Sequence, residues 1–441
     1  MKNRQIKIAS GTRYRHRFLW LLAASTLSVP FSLDAVGQQP KREVNYDEAK
    51  IDIGTLPDPL LSANGARATK ETWPAHRVAL VKLLAENQFG FAPVGSVDVK
   101  SETVEEGTMH GGKTLRRQMV VTLKSAAAEH RIDLAIFLPK GKAVKGTFVG
   151  LNFQGNHSID EDPALRIPTS WIANNKDTGV TDNKANEQGR GKQSRRWPIE
   201  EITDRGYAVA TAYYGDIDPD YDDGFNNGVH QLFPDQKPDA AHPNRWGTIA
   251  GWSWGISRLL DVVSKQPELK DSAYAVVGHS RLGKAALWAG ANDMRFSIVI
   301  SNNSGCGGAA LERRNFGETV EIINNSFPHW FCGNFKKFAK NEKAMPHDSH
   351  FIIASIAPRA VYIASATEDK WADPKGEYLG GYYATPVYKM LGLTGLDGDE
   401  PPAADTSVGG SIGYHARTGA HDILSYDWQR YMDFADRQWK K

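Results

Sequence analysis

Residues 274–288 read Tyr274-Ala275-Val276-Val277-Gly278-His279-Ser280-Arg281-Leu282-Gly283-Lys284-Ala285-Ala286-Leu287-Trp288. An apolar run meets Gly-x-Ser-x-Gly and continues into an Ala-rich pattern, the signature of a strand turning sharply into a helix with one serine hydroxyl at its tip. Gly278 and Gly283 fit because a Cβ at either position would crowd the neighbouring backbone. Ala285, Ala286 and Ala289 extend a small face that lets the helix lie close to a sheet. A bare Gly-x-Ser-x-Gly arises often by chance. Here the strand before it and the helix after it supply the context the motif needs.

Working outward, the pattern is one of alternation. Upstream, 97–105, 115–123 and 130–138 are β-rich runs separated by turns, which predicts an antiparallel meander. The run 147–153 is apolar throughout, as expected of a strand covered on both faces. A strand at 207–213 and a helix at 248–264 follow, the latter with Ile249, Trp252, Ile256, Leu259 and Val263 spaced by threes and fours. Strands at 296–301 and 360–366 come after the elbow. The expected fold class is therefore α/β, a mostly parallel central sheet with helices on both faces and an antiparallel N-terminal meander. A further helix is expected at 72–89, capped by Thr72, with Val78, Leu80, Val81, Leu83 and Leu84 as its apolar face.

The first 37 residues stand apart. Lys2, Arg4, Lys7, Arg13, Arg15 and Arg17 precede the apolar run 18–29, and Ala35-Val36-Gly37 is a small-x-small site before Gln38. This is the pattern of a signal peptide, too short in its apolar part to span a membrane. The formal net charge of the whole chain is +2, and this segment carries six Lys/Arg against Asp34, so the remainder is +2 − 5 = −3. The apparent basicity belongs to the leader, and nothing points to nucleic acid. The expectation is an exported protein, secreted or periplasmic, with 38–441 as one catalytic domain and 38–70 as an N-terminal arm. Export permits a disulfide between Cys306 and Cys332, towards which the reading leans over two free thiols.

A serine nucleophile needs a base, and the base needs an acid to orient it. On a sheet of this kind the partners follow in the order Ser, acid, His. The acid belongs after the strand 360–366, where Glu368 and Asp369 are neighbours. The base comes later, which leaves His415, in an apparent last strand, and His421, in the loop beyond it. A loop can swing an imidazole over the elbow, so His421 is the expected base and His415 a structural residue. Asp422 is read as a helix N-terminal acid. Oxyanion stabilisation is assigned to the Arg281 N–H and to the loop Gln154-Gly155-Asn156-His157. His347 and His350 lack the glutamate of a helical zinc motif, so no metal and no cofactor is expected. The polar segment 174–196 is read as a solvated loop in preference to an insertion at the mouth of the site.

At this point a family is visible. Gly278-His279-Ser280-Arg281-Leu282-Gly283-Lys284 resembles the elbow of the glucuronoyl esterases, carbohydrate esterase family 15, in their bacterial branch. The likeness extends through Ser304-Gly305-Cys306-Gly307-Gly308-Ala309-Ala310, Phe316-Gly317-Glu318-Thr319, Trp371-Ala372-Asp373-Pro374 and Ile412-Gly413-Tyr414-His415. The resemblance implies an α/β-hydrolase fold and cleavage of esters joining (4-O-methyl-)glucuronic acid of glucuronoxylan to lignin alcohols. It implies that Arg281 helps to hold the oxyanion and that Lys284, Glu318 and Trp371 bind the sugar. A monomer that needs no membrane after leader removal is expected. Many members place the triad acid after the strand that follows the elbow helix. Here Asn303 stands there, which passes the role to Asp369, with Glu368 as runner-up. The alternatives are an acetyl-xylan or other carbohydrate esterase with the same triad, and an inactive wall-binding homologue.

Overall fold

The computed structural model describes residues 44–440. The expected leader, and with it the start of the expected arm, lies outside those residues. Ten strands form one sheet. They are β1 (Asp98–Met109), β2 (Thr114–Lys124), β3 (Glu129–Pro139), β4 (Thr147–Asn152), β5 (Ala208–Tyr213), β6 (Tyr274–His279), β7 (Phe296–Asn302), β8 (Ala360–Ala366), β9 (Val408–Gly409) and β10 (Ile412–Arg417). Their order across the sheet is β1-β2-β3-β5-β4-β6-β7-β8-β10-β9. The first three strands form the expected meander, and β3 also pairs antiparallel with β5. From β5 to β10 every pairing is parallel, and short β9 closes the far edge antiparallel.

Successive side chains in a strand point to opposite faces, so a central strand must feed two cores. Tyr274 and Val276 of β6 pack into one cluster, while Ala275 and Val277 pack into another. Val361 and Ile363 of β8 are divided in the same way from Tyr362 and Ala364. This is why these strands lack apolar–polar alternation. Nine helices are found among the described residues: α1 (Trp73–Leu84), α2 (Ile199–Asp204), α3 (Tyr214–Ile217), α4 (Thr248–Val263), α5 (Arg281–Asn292), α6 (Val320–Ser326), α7 (His350–Ile356), α8 (Pro374–Met390) and α9 (Ser425–Gln438). Residues of α1, α4, α5, α7 and α8 build the first core, and those of α2 and α9 the second. Helices thus cover both faces, which with the mixed sheet is the α/β-hydrolase arrangement.

Two local expectations are corrected. The helix expected at 72–89 is α1 followed by one wide turn, Ala85–Phe89, and Thr72 makes no side-chain cap. Its buried face is Trp73, Leu80 and Leu84, while Val78 is 63% exposed. The disulfide is absent, and Cys306 and Cys332 are both buried free thiols. They belong to different surroundings. Cys332 Sγ faces the carbonyl of Glu86 at 3.9 Å, whereas Cys306 lies in the turn whose Gly307 N–H donates to Glu312. Burial pushes both thiols up, Cys332 to about 11.

Candidate active site

The elbow forms because β6 and α5 meet without a connecting loop. Ser280 sits between them at φ 57° and ψ −129°, a conformation that L-residues rarely adopt. Its N–H donates to the Asn302 carbonyl of β7 at 2.8 Å, and its carbonyl accepts from Gly283 at 2.9 Å. A Cβ on Gly278 would lie 1.9 Å from the Leu282 oxygen, so only glycine permits the turn. The first N–H groups of α5 have no intrahelical acceptor and point towards whatever occupies the tip.

Ser280 opens into a cavity of about 460 Å³. Seven of the residues singled out from the sequence line it: Ser280, Arg281, Lys284, Glu318, Asp369, Trp371 and His421. They come from the elbow, the loop before α6, the loop after β8 and the loop after β10. The chain order Ser, acid, His is therefore realised across three strand ends.

His421 Nδ1 lies 2.5 Å from Asp369 Oδ2. A carboxylate only accepts, so Nδ1 carries the proton and Nε2 is left for the cavity. The same Asp369 oxygen accepts from Asn303 Nδ2 at 2.8 Å, and Asp369 Oδ1 accepts from the Ala372 N–H at 3.3 Å. Burial alone would raise the Asp369 carboxyl. The hydrogen bond and charge of His421, with the amide of Asn303, outweigh it and hold the group below its usual range. Glu368, its neighbour, is exposed and makes no such contact. The imidazole of His421 also rests on that of His279, with ring centroids 4.6 Å apart. His279 donates from Nδ1 to Asn302 at 2.5 Å, and burial keeps it neutral.

Arg281 reaches the edge of the stacked Trp330 and Phe327 rings, 4.7 Å and 5.3 Å from their centroids. Its Nη1 pairs with Asp220. Asp220 also accepts from Trp330 Nε1 at 2.7 Å, His329 Nε2 at 3.0 Å and the Tyr214 hydroxyl at 3.1 Å. Lys284, one helical turn beyond the nucleophile, is buried. Its Nζ donates to the Ser304 carbonyl at 2.6 Å and lies 3.6 Å from Glu318 Oε2. Burial raises the Glu318 carboxyl, opposed by Lys284 and Arg281. Trp371 is 41% exposed at the rim, and its carbonyl accepts from the Glu318 N–H. Below the Ser304–Gly305 floor, Glu377 accepts from both backbone N–H groups and from Ser365, and burial pushes its carboxyl up to about 8.

Other sequence candidates fall elsewhere. His157 is buried and its loop faces segment 186–191, with the His157 carbonyl accepting from Gly191, so Gly155–His157 do not line the cavity. His415 is enclosed between the Tyr362 hydroxyl and Asp427. His350 donates to or accepts from no side chain and meets the Pro57 carbonyl, and His347 is buried beside Phe351. Asp422 is not the acid at the start of α9. That position is held by Asp427, which accepts from the Leu424 N–H, while Asp422 pairs with Arg195 and Arg196. The polar segment 174–196 is thus anchored beside the His421 loop rather than freely solvated. Asn303, Ser304, Ser326, Phe327 and Trp330 line the cavity without having been assigned to it from sequence. The aromatic run Phe327-Pro328-His329-Trp330-Phe331 was the available signal. Asp220, in Asp218-Pro219-Asp220-Tyr221-Asp222, carried none.

Known proteins are similar to this chain in sequence and in fold. The family profile described as "Glucuronyl esterase, fungi" matches residues 240–392. Carbohydrate esterase MZ0003, from an unknown prokaryotic organism, is 44% identical over 419 residues, which cover 94% of this chain and 96% of that protein. The structure of a promiscuous esterase of carbohydrate esterase family 15 from a marine bacterial metagenome is similar with a TM-score of 0.84 at 43% identity, over 90% of this chain and all (100%) of that one. A glucuronoyl esterase from Solibacter usitatus is similar with a TM-score of 0.81 at 38% identity, over 89% of this chain and 100% of that one.

Proposed function

This chain belongs to carbohydrate esterase family 15, the glucuronoyl esterases, and from that premise we propose that it hydrolyses esters of (4-O-methyl-)glucuronic acid on glucuronoxylan, releasing lignin alcohols. The observation that carries the reading is the 2.5 Å bond from His421 Nδ1 to Asp369, in a cavity that also holds Ser280 and the Arg281 and Lys284 cations. Ser280 Oγ attacks the uronoyl carbonyl while His421 Nε2 takes its proton. Asp369 fixes the tautomer and balances the imidazolium. The developing oxyanion is met by the start of α5 and the Arg281 guanidinium. His421 returns the proton to the departing alcohol as the C–O bond breaks. Water, deprotonated by the same histidine, then cleaves the glucuronoyl-serine. Lys284 and Glu318 form a charged donor–acceptor pair suited to vicinal sugar hydroxyls, and exposed Trp371 offers a face to the ring.

Export belongs to the same proposal. It is supported by the basic and apolar pattern of residues 1–37, and no helix among the described residues is long and apolar enough to cross a membrane. The same proposal takes the enzyme to act as a monomer.

The test is the rate on benzyl glucuronate against methyl galacturonate and acetylated xylan. The proposal requires the first to be preferred and a Ser280→Ala protein to be inactive on it. Preference for acetylated xylan would make this an acetyl-xylan esterase on the same triad.

A further inference from the structure

Asp220 is a buried carboxylate, its side chain 4% exposed, that belongs to no element of the triad. Its four donors come from three parts of the chain. Tyr214 begins α3 after β5, Arg281 begins α5, and His329 and Trp330 follow α6. Burial works against its charge, but the bond from His329, the charge of Arg281 and the bond from Trp330 win, and the carboxyl is held at about 2. It is therefore a fixed anion behind the cavity wall.

The arginine it holds is constrained in two ways. Phe327 and Trp330 stack on each other, 3.8 Å apart and 4° from parallel, and the guanidinium lies against both rings. Contact with the edge of this stack confines where the guanidinium can sit. It does not fix the direction in which the N–H groups point, because a ring edge offers no hydrogen-bond acceptor. The bond from Nη1 to Asp220 removes that freedom. Trp330 serves both restraints, since its ring carries the guanidinium and its indole N–H binds the same carboxylate. Arg281 Nε is buried without a partner, and the group as a whole lines the cavity beside Ser280. Donors aimed in advance at the place where charge develops are worth far more than mobile ones, since they need no reorganisation during the reaction.

We propose that Asp220 is a positioning residue that sets the orientation of the Arg281 guanidinium, so that its remaining N–H groups face the oxyanion formed at Ser280. The inference rests on the reading of Arg281 as an oxyanion donor. It assigns to a residue outside the triad a selective effect on turnover, because the orientation of Arg281 matters most when the carbonyl oxygen becomes charged. The neutral ester of the ground state gains much less from it.

The experiment is a double-mutant cycle of Asp220→Asn, Arg281→Ala and the double variant, with kcat and KM measured on benzyl glucuronate and melting temperature followed alongside. Asn keeps the size of the side chain but cannot accept from all four donors. Asp220→Asn should lower kcat about 10- to 100-fold with KM within about threefold, less than the roughly 10²- to 10³-fold expected of losing an oxyanion donor outright in Arg281→Ala. The double variant should be no slower than Arg281→Ala, because Asp220 acts through that side chain. A purely structural role would lower the melting temperature and multiply the two losses instead, which overturns the inference. So does an Asp220→Asn enzyme with wild-type kcat when Arg281→Ala is impaired. If Arg281→Ala itself keeps wild-type kcat, the oxyanion reading is what fails. Asp220→Glu, which keeps the charge but displaces it by one methylene, gives a second test should the Asn variant not fold. A fall in its kcat at unchanged KM supports the assignment, and wild-type kcat overturns it.

Discussion

Replacing Asp369 by Asn removes one charge from behind His421 while keeping the side chain's shape. Two hydrogen-bond patterns then compete. With the new amide oxygen in the place of Oδ2, it still accepts from His421 Nδ1 and from Asn303, and only the 3.3 Å contact with the Ala372 N–H is lost. With the amide reversed, its NH₂ faces two donors, and His421 must take the wrong tautomer or Asn303 must turn over. The first pattern breaks fewer bonds, so the correct tautomer survives. What disappears is the attraction between carboxylate and imidazolium. Two unit charges about 4 Å apart interact by about 4 kcal/mol at an effective dielectric constant near 20. His421 is 38% exposed on its cavity side, which screens part of this. The expected loss is therefore about 10²- to 10³-fold in kcat, at about 1.4 kcal/mol per factor of ten. The assay is steady-state hydrolysis of benzyl glucuronate beside Glu368→Gln, which should stay within about twofold of wild type because Glu368 is solvent-exposed. An Asp369→Asn enzyme retaining more than a tenth of wild-type kcat would refute the charge argument. Loss of turnover in Glu368→Gln would move the acid to the other carboxylate.

Three further outcomes are expected. Lys284→Ala or Glu318→Gln should raise KM for glucuronate esters about 10- to 100-fold, the worth of a charge-assisted hydrogen bond, and leave p-nitrophenyl acetate hydrolysis within about threefold; equal losses on both substrates would remove these residues from sugar binding. A thiol reagent should find no reactive cysteine in the native enzyme and two after unfolding without reductant, whereas none in either state would restore the Cys306–Cys332 disulfide. Burial, helped by Asp133 and opposed by the Ser170 hydroxyl, raises the Asp216 carboxyl from 3.8 to about 7. A raised folded pKa means that the fold holds the proton more tightly than the unfolded chain. Its contribution to stability is full below about pH 4 and disappears as the pH rises to about 7. Asp216→Asn should gain in melting temperature relative to wild type across that window, and parallel curves would show that Asp216 is ionised in the fold.

The fold was readable because its central strands are unusual. The runs 147–152, 274–279 and 360–366 are apolar on both sides, which only a doubly covered sheet can use. The glycine at 278 has one structural explanation. The site was readable as far as it depends on chain order, since order left a single loop histidine after a pair of acids. Between Asp369 and Glu368 the sequence had no means of choosing. Adjacent residues at a strand end point in different directions, and which one faces the cavity is set by the turn to Ala372. Asp220 was invisible for a related reason. Three of its four partners stand 61, 109 and 110 positions away, and no local pattern encodes a junction of that kind. The cysteine pairing failed because it was argued from compartment alone, without the separate environments the two thiols occupy.

Ser280 φ of 57° has a consequence for the history of such a chain. A residue held in that region costs about 1–3 kcal/mol, a cost that falls away when the residue is glycine. Ser280 therefore occupies the place where its own backbone would favour having no side chain at all. Ser280→Gly should melt at a higher temperature than Ser280→Ala, although both lack the hydroxyl. Selection on stability alone would then favour glycine at this turn, and only a demand on the hydroxyl itself would favour serine.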